Sequence, residues 1–122
     1  MLKTGLILGT FFAGSSIVLG AFGAHALKDQ LSSYSISIYE KAVLYQMFHA
    51  LGILLVTMLG SQIDSVDFSS SIYCFIAGIV LFSGSLYILA ITDMKWLGMI
   101  TPVGGMLFIV GWFLVLFKSI NL

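Results

Sequence analysis

Four long apolar stretches, separated by three short polar ones, make up nearly the whole chain. They run from about Gly5 to Ala24, Glu40 to Gly60, Ser71 to Ile91 and Pro102 to Phe117. A helix rises about 1.5 Å per residue, so about 20 residues cross a hydrocarbon layer roughly 30 Å thick. The pattern predicts an all-α membrane protein: four transmembrane helices in an antiparallel bundle, as a single domain over residues 1–122.

Within the first stretch Gly5, Gly9 and Ala13 recur at every fourth position, as do Ser16, Gly20 and Ala24. Small residues at that spacing let two backbones approach in lipid, where packing drives association. They fit close packing inside the chain or a contact between copies of it. Lys3 and the Ala24-His25-Ala26 triplet also resemble a signal peptide with its cleavage site, but the apolar run exceeds the roughly 7–15 residues of such a segment. The stretch is expected to be retained.

Lys28 to Ile36 reads as the first loop, with Leu27, Leu31 and Tyr34 spaced for a short interfacial helix. Ser37 and Glu40 fit a capping box that starts the second helix. The second loop, Ser61 to Ser70, carries Asp64 and Asp67 and no lysine. In the third loop, Thr92 to Thr101, Trp96 beside Lys95 suits an interface anchor. Thr101-Pro102 then reads as an N-cap with proline at the first helical position. Lys118 can snorkel from the end of the fourth helix.

Composition removes the alternatives. Hydrophobic residues are 60% and charged residues 8% of 122, too apolar for a water-soluble fold of this size to bury. The net charge is zero without a basic cluster, so no phosphate-binding footprint exists and nucleic acid is not an expected partner. Cys74 lies alone in an apolar run and reads as a small packing residue. No cofactor or metal is expected, because Cys, His and carboxylates do not cluster at ligand spacing.

Three lysines (28, 41 and 95) flank the side of loops one and three, and two (3 and 118) flank the other. That bias points to termini outside and loops one and three in the cytoplasm.

The candidate chemistry gathers on one side. His25, Glu40, Lys41, Asp93, Lys95 and Thr101 fall near the loop-one and loop-three surface, with Tyr45, Gln46 and His49 leading inward. His49 sits roughly 13–14 Å along the second helix, near mid-membrane. Polar side chains at that depth face the interior. The far half is expected to hold almost nothing polar.

The ligand-binding candidates are therefore His25, Glu40, Tyr45, Gln46, His49 and Thr101. A lipid headgroup or small amphiphile would sit among them with its tail along glycine-lined helices. Equally, His49 would serve by bonding across helices and fixing their register. A small transporter or channel component using His49 is the alternative function, although the polar path stops there. No catalytic residue is expected: Tyr45 and His49 lack a third partner. The expected partners are membrane lipids and, through the small-residue faces, a second copy of the chain.

Three motifs now stand in order: Gly20-Ala-Phe-Gly-Ala-His-Ala-Leu27, Tyr45-Gln-Met-Phe-His-Ala50, and Ile100-Thr-Pro-Val-Gly-Gly105 followed by Gly111-Trp112. They resemble a family of small four-helix membrane proteins of unknown function, with YgdD-like and YwdK-like members. The resemblance covers essentially the whole chain. It implies a multi-pass protein of the cell membrane, and its motifs map onto His25, Tyr45, Gln46, His49, Thr101, Pro102 and Gly104 without implying an activity.

Overall fold

In the computed structural model, which describes residues 1–122, the chain folds into four long helices and no strand. They are Leu2–Leu27, Ser33–Gln62, Ser69–Thr92 and Lys95–Ile120, each long and apolar enough to cross a membrane. The first is 26 residues, about 39 Å at 1.5 Å per residue, so it outruns the hydrocarbon layer.

Helix ends are set by local chemistry. The second helix begins at Ser33, not at Ser37: Ser32 is the N-cap, and its hydroxyl accepts the Ser35 amide at 3.1 Å. Glu40 lies two turns inside this helix, exposed, so the expected capping box does not form. The first loop thereby shrinks to residues 28–32.

Phe68 is the N-cap of the third helix, and Asp67 just before it takes the Ser69 amide at 2.9 Å and the Ser69 hydroxyl at 2.5 Å. The Ser69 hydroxyl, and then its amide, hold this carboxyl below the usual carboxylate range. Asp93 ends the third helix in the left-handed conformation (φ 56°), and its amide bonds Leu89 O at 2.8 Å. In the fourth helix a 3-10 turn, Lys95–Met99, leads into the α-helix Thr101–Ile120. Pro102 sits in its first turn as expected, but Ile100 takes the N-cap place assigned to Thr101.

Successive helices pack antiparallel. A Cβ on Gly5 would lie 2.0 Å from Thr57 Oγ1, one on Gly9 2.7 Å from Leu54, and one on Gly23 2.3 Å from the Tyr39 ring. These residues descend one helix as their partners climb the other. Of the small residues that recur along the first helix, Gly5, Gly9 and Ser16 are thus buried against the second helix of the same chain, and Ala24 is exposed.

The third and fourth helices meet the same way. A Cβ on Gly111 would strike Phe75, one on Gly78 would strike Phe108, and one on Gly104 would lie 2.3 Å from the Phe82 backbone nitrogen. Cys74 packs half-buried at this seam, beside Gly111.

The middle two helices form the core. Tyr39, Ala42, Ile53, Val56, Ile72 and Phe75 are buried, whereas the outer helices keep one side open to lipid. The first helix packs along the second and the fourth along the third, without packing along one another. The result is an arc with lateral grooves, not a closed square.

Two π-helical turns interrupt the rods, at Gly23–Leu27 and at Ile79–Ser83. The second is deep in the third helix. It carries Phe82 against the fourth helix and Ser83 against the second, where its hydroxyl donates to Ala42 O at 2.7 Å.

Candidate functional site

The second helix sends its polar residues in two directions. Tyr45 and Gln46 are neighbours in sequence, so about 100° of rotation separates them. Tyr45 and His49 turn toward the fourth helix, and Gln46 turns toward the first and third.

His49 is 6% exposed and both ring nitrogens are engaged. Trp112 Nε1–H donates to His49 Nε2 at 3.0 Å. An indole nitrogen can only donate, so Nε2 is bare and the proton sits on Nδ1. Nδ1–H then donates to Tyr45 O at 2.8 Å. The ring is a neutral imidazole in one tautomer. It lies flat on Phe108, with centroids 3.5 Å apart and planes 10° apart. Phe75 closes the arrangement from the third helix, 4.8 Å from Trp112. The unit ties three helices together.

Gln46 makes the second tie. Its Nε2 donates to Phe12 O at 2.9 Å and to Ser15 Oγ at 2.8 Å, and its Oε1 accepts the Tyr87 hydroxyl at 2.6 Å. Two turns nearer the surface, Tyr39 donates to Leu19 O at 2.6 Å. Ser85 and Thr101 share a bond of 2.6 Å between the third and fourth helices. His25 and Glu40 are exposed at the loop-one end and stand apart from these ties.

At the other end, Lys118 donates to Asp67 O and, at 2.8 Å, to Ser70 Oγ. Buried Thr57 and Ser71 leave their hydroxyls unpaired there. The far half is therefore more polar than the sequence suggested.

Beside the His49 unit a groove of about 520 Å³ opens sideways between the second and fourth helices. Tyr45, Phe82, Gly105, Phe108, Ile109 and Trp112 are among its walls, and none of its lining residues is charged. A second groove of about 340 Å³ lies between the first and third helices over Gln46 and Tyr87. A cavity of about 100 Å³ near Met1, Thr57 and Asp67 is too small for a lipid.

Of the six candidates, Tyr45 and His49 meet in the larger groove, Gln46 lines the smaller one, and His25, Glu40 and Thr101 reach neither. Trp112, Tyr87, Tyr39 and Ser15 were missed. The signal available was that an indole or phenol deep in an apolar helix needs a partner. His49 with Trp112, and Gln46 with Tyr87, are the pairings that need supplies.

Four apolar helices, tied by buried polar side chains and sheathed in exposed apolar ones, define a multi-pass helical membrane protein. The comparisons agree. The family described as "Protein of unknown function (DUF423)" matches residues 19–105, and the chain belongs to it.

The UPF0382 membrane protein of Staphylococcus epidermidis is 44% identical over 120 residues, covering 98% of each chain. YwdK of Bacillus subtilis, also named a UPF0382 membrane protein, is 38% identical over 121 residues, again covering 98% of each. A Staphylococcus aureus relative is 44% identical over 118 residues, covering 97% of this chain and 96% of its own. No solved structure matches the chain.

Proposed function

We propose that this protein is a binding or assembly subunit of the cell membrane that holds an uncharged amphiphile in the groove beside Tyr45 and His49. The observation that carries the reading is the groove itself: about 520 Å³, uncharged, walled by rings and open sideways between the second and fourth helices. Sites for small amphiphiles are concave and mostly apolar, with a few polar groups that fix orientation. Tyr45 supplies such a group, since its hydroxyl forms no hydrogen bond within the chain while the ring lines the groove.

The same geometry weighs against routing protons or ions through His49. Both of its nitrogens are already committed, and moving a proton through it would break the bond to Trp112.

Lipid analysis of protein purified in mild detergent tests the reading. An uncharged lipid should be enriched over its share of the membrane, and Gly105→Leu, which fills the groove, should remove the enrichment. A co-purifying lipid profile identical to the bulk membrane in both proteins would refute it.

A further inference from the structure

The polar inventory of the groove narrows the ligand further, on the footing that the groove is a lipid site. We propose that it takes a lipid with an uncharged planar ring head bearing a hydrogen-bond acceptor, the chemistry of a quinone.

Within the lining, the two nitrogens of His49 and the indole N–H of Trp112 are spent on one another and on Tyr45 O. Pro102 has no N–H to offer. The Tyr45 hydroxyl remains as the free donor, and a ring carbonyl is the acceptor that matches it. A lipid phosphate would instead need a cation, and no lysine lines the groove. The phenol lies four residues from exposed Lys41, about 6 Å deeper along the helix, so the head would sit just beneath the polar surface.

The walls suit a flat ring. Tyr45 and Phe82 are 4.6 Å apart at 36°, and Phe82 and Phe108 are 5.5 Å apart at 56°. A planar ring gains offset or edge contacts from such faces that a flexible acyl chain does not. Gly105 leaves the space: a Cβ there would have its nearest neighbour at 3.7 Å, in the Phe82 ring. Met106 and Ile109 continue the wall toward mid-membrane, where an isoprenoid tail would run.

The test uses the full chain in phosphatidylcholine nanodiscs, with Trp96→Phe leaving Trp112 as the single tryptophan. Decylubiquinone is titrated while Trp112 fluorescence is read, and a brominated diacylglycerol, uncharged but without a ring, is titrated in parallel. The quinone should quench saturably. Tyr45→Phe should weaken its binding about five- to tenfold, and Gly105→Leu should abolish the saturable phase. Ile109→Phe, at a half-exposed wall position, is the second blocking variant should Gly105→Leu fail to fold by circular dichroism.

Linear quenching by both the quinone and the diacylglycerol, the same in the blocked variants, would overturn both the inference and the lipid-site reading; linear quenching by the quinone alone would overturn the inference. Saturable quenching by the diacylglycerol that the quinone does not compete away would leave the lipid site standing and overturn the quinone head. Unchanged affinity in Tyr45→Phe would overturn the role given to the phenol, and the inference with it.

Discussion

Replacing His49 by phenylalanine keeps a flat ring on Phe108 but removes the acceptor for Trp112 Nε1–H, 3.0 Å away. The indole is half-exposed toward lipid, where nothing accepts its proton. Hydrogen bonds between transmembrane helices are worth about 0.6–2 kcal/mol. His49→Phe should therefore cost about that much, and Trp112→Phe a similar amount.

Because the two residues share one bond, the double variant should cost less than the sum, with a coupling of about 0.6–2 kcal/mol. His49→Leu also forfeits the stacking on Phe108, a further ~0.5–1.5 kcal/mol. Reversible unfolding in mixed micelles, followed by circular dichroism or steric trapping, reads all four corners of the cycle. A coupling indistinguishable from zero, with His49→Leu as stable as the parent, would refute the tie between the helices.

Other perturbations separate packing, polar ties and the start of the third helix. A Cβ on Gly104 would lie 2.3 Å from the Phe82 backbone nitrogen while one on Gly105 has 3.7 Å of clearance, so Gly104→Ala should cost about 1–3 kcal/mol and Gly105→Ala almost nothing; equal melting temperatures for the two would contradict the packing of the last two helices. Gln46→Leu removes three hydrogen bonds and strands the Tyr87 hydroxyl, and should cost roughly 2 kcal/mol at ~0.6 kcal/mol per bond, with Tyr87→Phe on top adding little more. The same unfolding assay would expose full additivity, the result that does not fit.

Asp67, whose carboxyl is held low by Ser69, stabilises the folded state above the unfolded carboxylate value of about 3.9. Its contribution fades as pH falls through the lower folded value. The stability gap between the parent and Asp67→Ala should accordingly be full at neutral pH and shrink in strong acid, and a gap that widens in acid would reverse the sign of this account.

The number and order of the helices were legible in the sequence because hydrophobic runs of about 20 residues leave few other solutions. The Pro102 start was legible too, since proline tolerates only the first turn. The Ser37–Glu40 box was not the helix start because Ser32 and Ser35 offered an earlier cap, and helix continues beyond lipid wherever a cap allows it. The π-turns at Gly23–Leu27 and Ile79–Ser83 left no sequence trace, since each shifts the bonding by one residue and is fixed by packing across helices.

The split between Gln46 and His49 was hidden for a related reason. Helical spacing of three puts two residues near one face, but the neighbours decide which seam each enters. Tyr87 and Ser15 draw Gln46 one way, and Trp112 draws His49 the other. Trp112 follows His49 by 63 positions, a separation at which sequence pattern carries no contact information.

An electron-microscopy structure of the protein in lipid nanodiscs would decide whether the groove beside Tyr45 and His49 holds a lipid. Elongated density should lie in the groove, starting within hydrogen-bonding distance of the Tyr45 hydroxyl and running past Gly105 and Ile109, with the His49–Trp112 bond intact beside it. Side chains collapsed into that space, or an imidazole turned out toward the acyl chains, would contradict the account.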